Sequence, residues 1–252
     1  RHEMQGAYGA GSAEATIGLP GGDVIDATVD HYRKAFDARH GGLNRAPKFP
    51  SHIPVRLLLR HHQRTGDTDA LRMATLTLEK MAAGGLYDQL GGGFHRYSTD
   101  VRWLVPHFEK MLYDNALLVV AYTEAFQVTS RADFARVARE TCDYILREMT
   151  DAGGGFYSAT DADSEGEEGR FFVWREDEIR RELDALGDGE TTEPFLAHYD
   201  VHPGGNWEGH TILNVPHPDE AAWEALAAAR ARLYAVRARR TPPLRDEKIL
   251  AA

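Results

Sequence analysis

Gly84-Gly85-Leu86-Tyr87-Asp88-Gln89-Leu90-Gly91-Gly92-Gly93-Phe94-His95-Arg96-Tyr97 holds the central one of three glycine–aromatic segments whose recurrence decides the fold. The others are Gly41-Gly42-Leu43-Asn44, running into Ala46-Pro47-Lys48-Phe49-Pro50, and Gly153-Gly154-Gly155-Phe156-Tyr157-Ser158. A period of roughly 50–60 residues marks stacked supersecondary units. Each segment follows a stretch of helical periodicity, the first, third and fifth along the chain. Helices that alternate up and down end on the same side at every second step. The three segments are therefore expected to gather around one mouth, where the functional site is sought.

Working outward, Ile25, Val29, Tyr32 and Phe36 recur at helical spacing and predict a helix from Asp23 to Gly41-Gly42. Ser51 is suited to cap a second helix with Val55, Leu58, Leu59 and His62 on one side. A third is expected over 69–83. The fourth is expected to start at Pro106 and to run through Leu117, Leu118 and Tyr122 to Gln127. A fifth carries Phe134, Val137, Ile145 and Met149 inward. Phe171-Phe172-Val173-Trp174 reads as a strand, one arm of a small inserted β-hairpin. Short helices over 176–186 and 193–199, a loop through Gly204–Gly209 and an Ala-rich helix over 219–239 complete the pattern. Residues 1–22 read as a linker or poorly ordered lead-in, and 23–252 as one helical domain. The ending at Lys248-Ile249-Leu250 lacks a terminator and reads as cut.

The 252 residues are 42% apolar, enough for a packed core, and contain no apolar run of about 18 residues that would suggest a membrane span. No secretory signal is visible, which points to a cytoplasmic protein. A formal charge of −10 argues against a nucleic-acid partner. Cys142 is single, is expected to be a small buried hydrophobe, and offers no redox pair. The glycine runs lack the Lys-Ser/Thr ending of a phosphate-binding loop, and the twelve histidines form no zinc frame. No cofactor is expected.

Four longer motifs resemble one family: Gly84 to Ser98; Trp103-Leu104-Val105-Pro106-His107-Phe108-Glu109-Lys110-Met111-Leu112-Tyr113-Asp114; Phe156 to Gly169; and Gly205-Asn206-Trp207-Glu208-Gly209. It is the thioredoxin-domain-containing family of spermatogenesis-associated protein 20 and its bacterial relatives, and the likeness spans about residues 23–250. The resemblance implies an all-α, (α/α) toroid of helical hairpins like that of six-hairpin glycosidases and N-acylglucosamine 2-epimerases. It also implies an upstream thioredoxin-like domain, which this sequence lacks. The toroid is expected to be incomplete here, exposing an apolar edge. A thioredoxin-like domain of the full-length protein is then a conceivable partner.

A neutral imidazole removes a proton beside a sugar carbonyl and an imidazolium returns it, so His95 and His107 are the candidate proton carriers of an epimerase or isomerase. As helical residues, His107, Lys110, Met111 and Asp114 would share a face, with Glu109 pointing elsewhere. A glycosidase instead needs two carboxylates across the bond, and Asp88 or Asp114 facing Asp161 or Asp163 would serve. Arg96, Tyr97, Trp103, Glu109, Tyr157, Asp163, Glu165 and Trp207 are candidate substrate contacts, the aromatic ones by stacking on a sugar face. The run Asp161-Ala162-Asp163-Ser164-Glu165-Gly166 imitates a calcium loop but has Phe172 where the bidentate Glu belongs. A solvated hairpin tip is the plainer reading. The leading expectation is a carbohydrate-active or carbohydrate-binding domain for a mono- or short saccharide. The competing one is a non-catalytic protein-interaction module.

Overall fold

The computed structural model describes residues 21–187 and 190–250. Most of the expected lead-in, residues 1–20, lies outside them. The fold is all-α, an (α/α) array of helical hairpins with small β elements. Five helices form the first group: α1 (Gly22–Ala35), α2 (Val55–Thr65), α3 (Thr68–Ala83), α4 (Leu112–Thr129) and α5 (Ala132–Glu148). α2 packs on α3 and reaches α4, which packs along α5. The hairpin turns have local causes. Gly66, at φ 78°, closes α2, and Asp67 then caps α3 by accepting from the amides of Asp69 and Ala70. Leu58, Met73, Leu78, Met81, Phe94, Tyr122 and Phe134 fill the common core.

A second group comprises α6 (Glu176–Asp184), α7 (Thr192–His198), α8 (Glu220–Ala225) and α9 (Ala227–Arg237) around Trp174, Phe195, Tyr199 and Leu233. The single terminal helix expected over 219–239 is broken at Leu226, after a start capped by Asp219. The β elements are short. β1 (Tyr97–Ser98) pairs with β2 (Pro106–His107). β3 (Lys110–Met111), β4 (Phe156–Thr160) and β7 (Arg245–Leu250) form an antiparallel sheet, and β5 (Asp163–Ser164) with β6 (Glu167–Glu168) forms a hairpin.

Several expectations are corrected. Residues 106–111 are extended, and α4 begins only at Leu112. Pro106 suits a first helical turn but suits a strand equally, and pairing to Ser98 and, through Lys110, to Thr160 decides the matter. Phe171–Trp174 is a turn ending in a single bridge from Trp174 to Thr211, so the hairpin lies earlier, at β5–β6. Ser51 sits in a short 3-10 turn rather than capping α2, which follows Pro54. α2 buries His61 rather than His62. Cys142 is half-buried.

Around residues 84–111 the first and second segments meet. Lys48 bridges to Ser98, tying in the first segment, and Lys110 pairs with Thr160 beside the third. Gly42, at φ 69°, lies so close to Trp103 that a Cβ would stand 2.7 Å from the indole.

Candidate functional site

The extended run 106–111 sorts its side chains by strand alternation: Pro106, Phe108 and Lys110 are buried, while His107, Glu109 and Met111 are partly open. That alternation divides the mouth into a closed floor and an open rim.

The floor is ionic. Arg237 Nη1 and Nη2 donate to the two carboxylate oxygens of Asp88 at 2.7 and 2.8 Å, and Lys110 Nζ donates to Asp88 Oδ2 at 2.9 Å. Asp88 Oδ1 also accepts from the amides of Leu90 and Gly91. Burial alone would raise the Asp88 pKa, but Arg237 and Lys110 hold it well below the usual carboxylate range. Arg237 comes from α9 and Lys110 from β3, so this triad joins the second helical group to the mouth. His95 lies beside it, 2% exposed, with Nδ1 donating to the Phe108 carbonyl at 2.8 Å. Burial, reinforced by Lys110, drives its pKa down to about 3. A cavity of about 20 Å³ lies between Asp88, His95, Phe108 and Arg237, room for about one water.

These facts correct three site expectations. Asp88 is neutralised within the floor and cannot face Asp161 or Asp163 across a substrate. His95 is buried and stays neutral at physiological pH, so it is no source of imidazolium. Trp103 is fully buried, with Nε1 donating to the His40 carbonyl, and has no free face for a sugar.

The rim gathers other predicted residues. Tyr97 and His107 face each other across β1–β2 with rings stacked at 5.0 Å, and Phe49 stacks on Tyr97 at 4.5 Å. Glu168 Oε1 lies 2.7 Å from His107 Nδ1, and Glu109 Oε2 lies 3.8 Å from His107 Nε2. Arg96 Nη1 donates to Glu109 Oε2 at 2.7 Å. Asp114, at the start of α4, is 8% exposed; burial, with Glu109 adding repulsion against the pull of Arg96, lifts its pKa to about 6. His107 and Glu109, assigned to different helical faces by the expected helix, share one face of a strand.

Glu168 also lines an open cleft of about 780 Å³ between the β5–β6 hairpin, residues 170–175, the 207–210 loop and the end of α9. Glu165, Arg170, Trp207, Glu208 and Arg240 stand on its wall. Trp207 is half-buried and rests on Phe108 at 5.6 Å between ring centres. Of the other predicted residues, Asp161, Asp163 and Tyr157 lie apart from this cleft. Asp161 caps its own turn by accepting from the Ala162 amide; Asp163 is exposed on the hairpin; Glu165 pairs with Arg170 at 3.0 Å. Tyr157 donates to Asp151 and lies under Arg245. Within the acidic run, Asp163 and Glu167 are solvated on the hairpin. Among the described residues no group of three or more His, Cys, Asp or Glu is placed to hold a metal ion.

Glu168 and Arg237 escaped the sequence reading, and Lys110 entered it only as a neighbour of His107 on the expected helical face. Glu168 sat undistinguished in the acidic run, and Arg237 lies 149 residues from Asp88, with no spacing to betray the pair.

No family model matches the chain. Curated sequences do. The chain belongs to the family of spermatogenesis-associated protein 20. Identity to the human protein is 37% over 258 residues, covering 87% of this chain and 32% of the relative. The mouse protein is 36% identical over 255 residues, with the same coverage. The chain thus spans about a third of the length of the curated relatives it matches. Among solved structures, a glycoside hydrolase family 76 mannosidase from Bacteroides thetaiotaomicron overlaps 85% of this chain and 80% of its own at TM-score 0.42 and 13% identity. That overlap is too loose to align the side chains of a site. Within the described residues no helix is long and apolar enough to cross a membrane.

Proposed function

We propose that this chain binds a mono- or short saccharide in the cleft beside Trp207 and that His107 moves a proton at its rim. The observation that carries the reading is the double placement of Glu168, which lines the cleft and holds His107 Nδ1 at 2.7 Å. With a carboxylate on Nδ1, the imidazole proton sits there and Nε2 keeps its lone pair. Nε2 is then the base, and Glu168 with Glu109 steadies the imidazolium once the proton has moved. Arg96 offsets the charge of Glu109. Asp114, with its raised pKa, is a second acid–base group near neutrality. Trp207, Glu165 and Arg170 supply ring contact and hydroxyl partners. The chemistry proposed is epimerase- or isomerase-like, requires no cofactor, and suits a cytoplasmic protein.

The test is solvent exchange. Aldoses, ketoses and amino sugars are incubated with the protein in heavy water, and deuterium at the carbon beside the carbonyl is followed by NMR. Incorporation that vanishes in His107→Ala, at unchanged melting temperature, supports the proposal. No incorporation from any sugar, or equal incorporation in the variant, sinks it.

One observation favours a second reading, a non-catalytic module that docks a thioredoxin-like domain of a longer protein. Tyr113, Leu117 and Val120 form an exposed row on α4, more apolar than a solvated helix needs. Leu117→Glu would then abolish domain association, whereas it would leave exchange untouched.

A further inference from the structure

A cleft of about 470 Å³, sharing no residue with the saccharide cleft, is lined by Arg39, His40, Lys80, Arg102, Leu104, Asn214 and Asp200 among others. Its charge is anomalous. The chain carries −10 overall, and most of its described arginines end on a carboxylate or carbonyl. Arg39 and Arg102 do not. Only their backbone amides are engaged, by Asp37 and Asp100, and each guanidinium is without a partner among the described residues. Lys80 is likewise without a carboxylate. On its other side it lines a second cavity, of about 320 Å³, whose acids are all committed: Glu79 and Asp133 to Arg131, Glu220 to Arg136, Asp219 to the amides that start α8. His40 is turned to Asp37 at 3.3 Å, and Asp37 is itself held by Lys48 at 2.8 Å. The one carboxylate on the wall, Asp200, accepts from Asn214 Nδ2 at 3.3 Å.

Three cations from three separate stretches of chain, none paired with a carboxylate and faced by the single carboxylate Asp200, stand around one concavity of an acidic chain and call for an anion from outside. We propose that this cleft binds a phosphate group, carried by a small phosphomonoester, with Arg39 and Arg102 forking its oxygens and Lys80 supplying a point charge. Asp200, on the same wall, accepts from a hydroxyl of the ligand and repels a ligand that is anionic throughout. The reading is independent of the saccharide proposal.

The test is thermal shift of the whole chain at fixed ionic strength, with sodium chloride exchanged for inorganic phosphate or for glycerol 3-phosphate. The expected result is a rise in melting temperature with phosphate that saturates, is at least as large with glycerol 3-phosphate, and disappears in Arg39→Ser/Arg102→Ser. Both side chains are exposed and unpaired, so the double variant should fold with an unchanged melting temperature in chloride. Lys80→Met serves as the second variant and should weaken the response at least threefold in apparent affinity. Phosphate no better than chloride at equal ionic strength, or a response that survives the double substitution, overturns the proposal.

Discussion

Asp88→Asn is the perturbation that most sharply separates a structural floor from a catalytic one. Asparagine keeps an oxygen for the amides of Leu90 and Gly91, so the turn itself survives. It removes the charge that balances Lys110 and Arg237, whose side chains are 1% and 3% exposed. Breaking a buried pair by deleting one partner costs about 3–5 kcal/mol, because the other charge stays buried without compensation. For a chain of this size each kcal/mol moves the melting temperature by about 2–4 °C, so a fall of about 6–20 °C is expected in calorimetry at pH 7. Adding Lys110→Met should recover part of that loss, since it withdraws one stranded cation. The reasoning is refuted if Asp88→Asn melts within about 2 °C of the parent while saccharide response is lost. That outcome would return Asp88 to the substrate.

Three further outcomes follow from the same geometry. His95 has a folded pKa of about 3, below its ordinary value of 6.5, so the unfolded chain takes up the proton first. Stability should be complete above about pH 6.5 and fall with acid towards pH 3, by at most about 1.4 kcal/mol per unit, a slope that His95→Gln should flatten in urea titrations. Asp114 has the opposite sign: its raised pKa of about 6 means stability is lost as pH rises from 3.8 through 6, so Asp114→Asn should raise the melting temperature at pH 7.5 and not at pH 4. Gly92 has φ 72° and would place a Cβ 2.6 Å from the Glu140 carbonyl oxygen, so Gly92→Ala should cost about 1–3 kcal/mol in chemical denaturation, with no change at pH-sensitive groups.

What the sequence disclosed, and what it hid, follows the range of the forces involved. α3, α5, α6 and α7 were legible because each turns one apolar stripe to a core, and α3 carries its own capping aspartate. Residues 106–111 were not. Their side chains satisfy helical spacing as well as strand alternation, and the choice is made by Ser98, Thr160 and Asp88, all distant in sequence. That error carried into the site, separating His107 from Glu109. Burial was the second blind spot: His95 and Trp103 look like loop residues in sequence, and only the packing of Phe108, Phe172 and Gly42 around them reveals the floor.

The central claim is that His107, held by Glu168, is the proton-transfer group facing a saccharide. It is tested most directly by imidazole nitrogen NMR of His107 during titration with a panel of monosaccharides. The account predicts a proton on Nδ1, facing Glu168, and a saturable shift at Nε2 with at least one sugar that Glu168→Gln abolishes. A proton on Nε2, or an Nε2 resonance that no sugar moves, would contradict it.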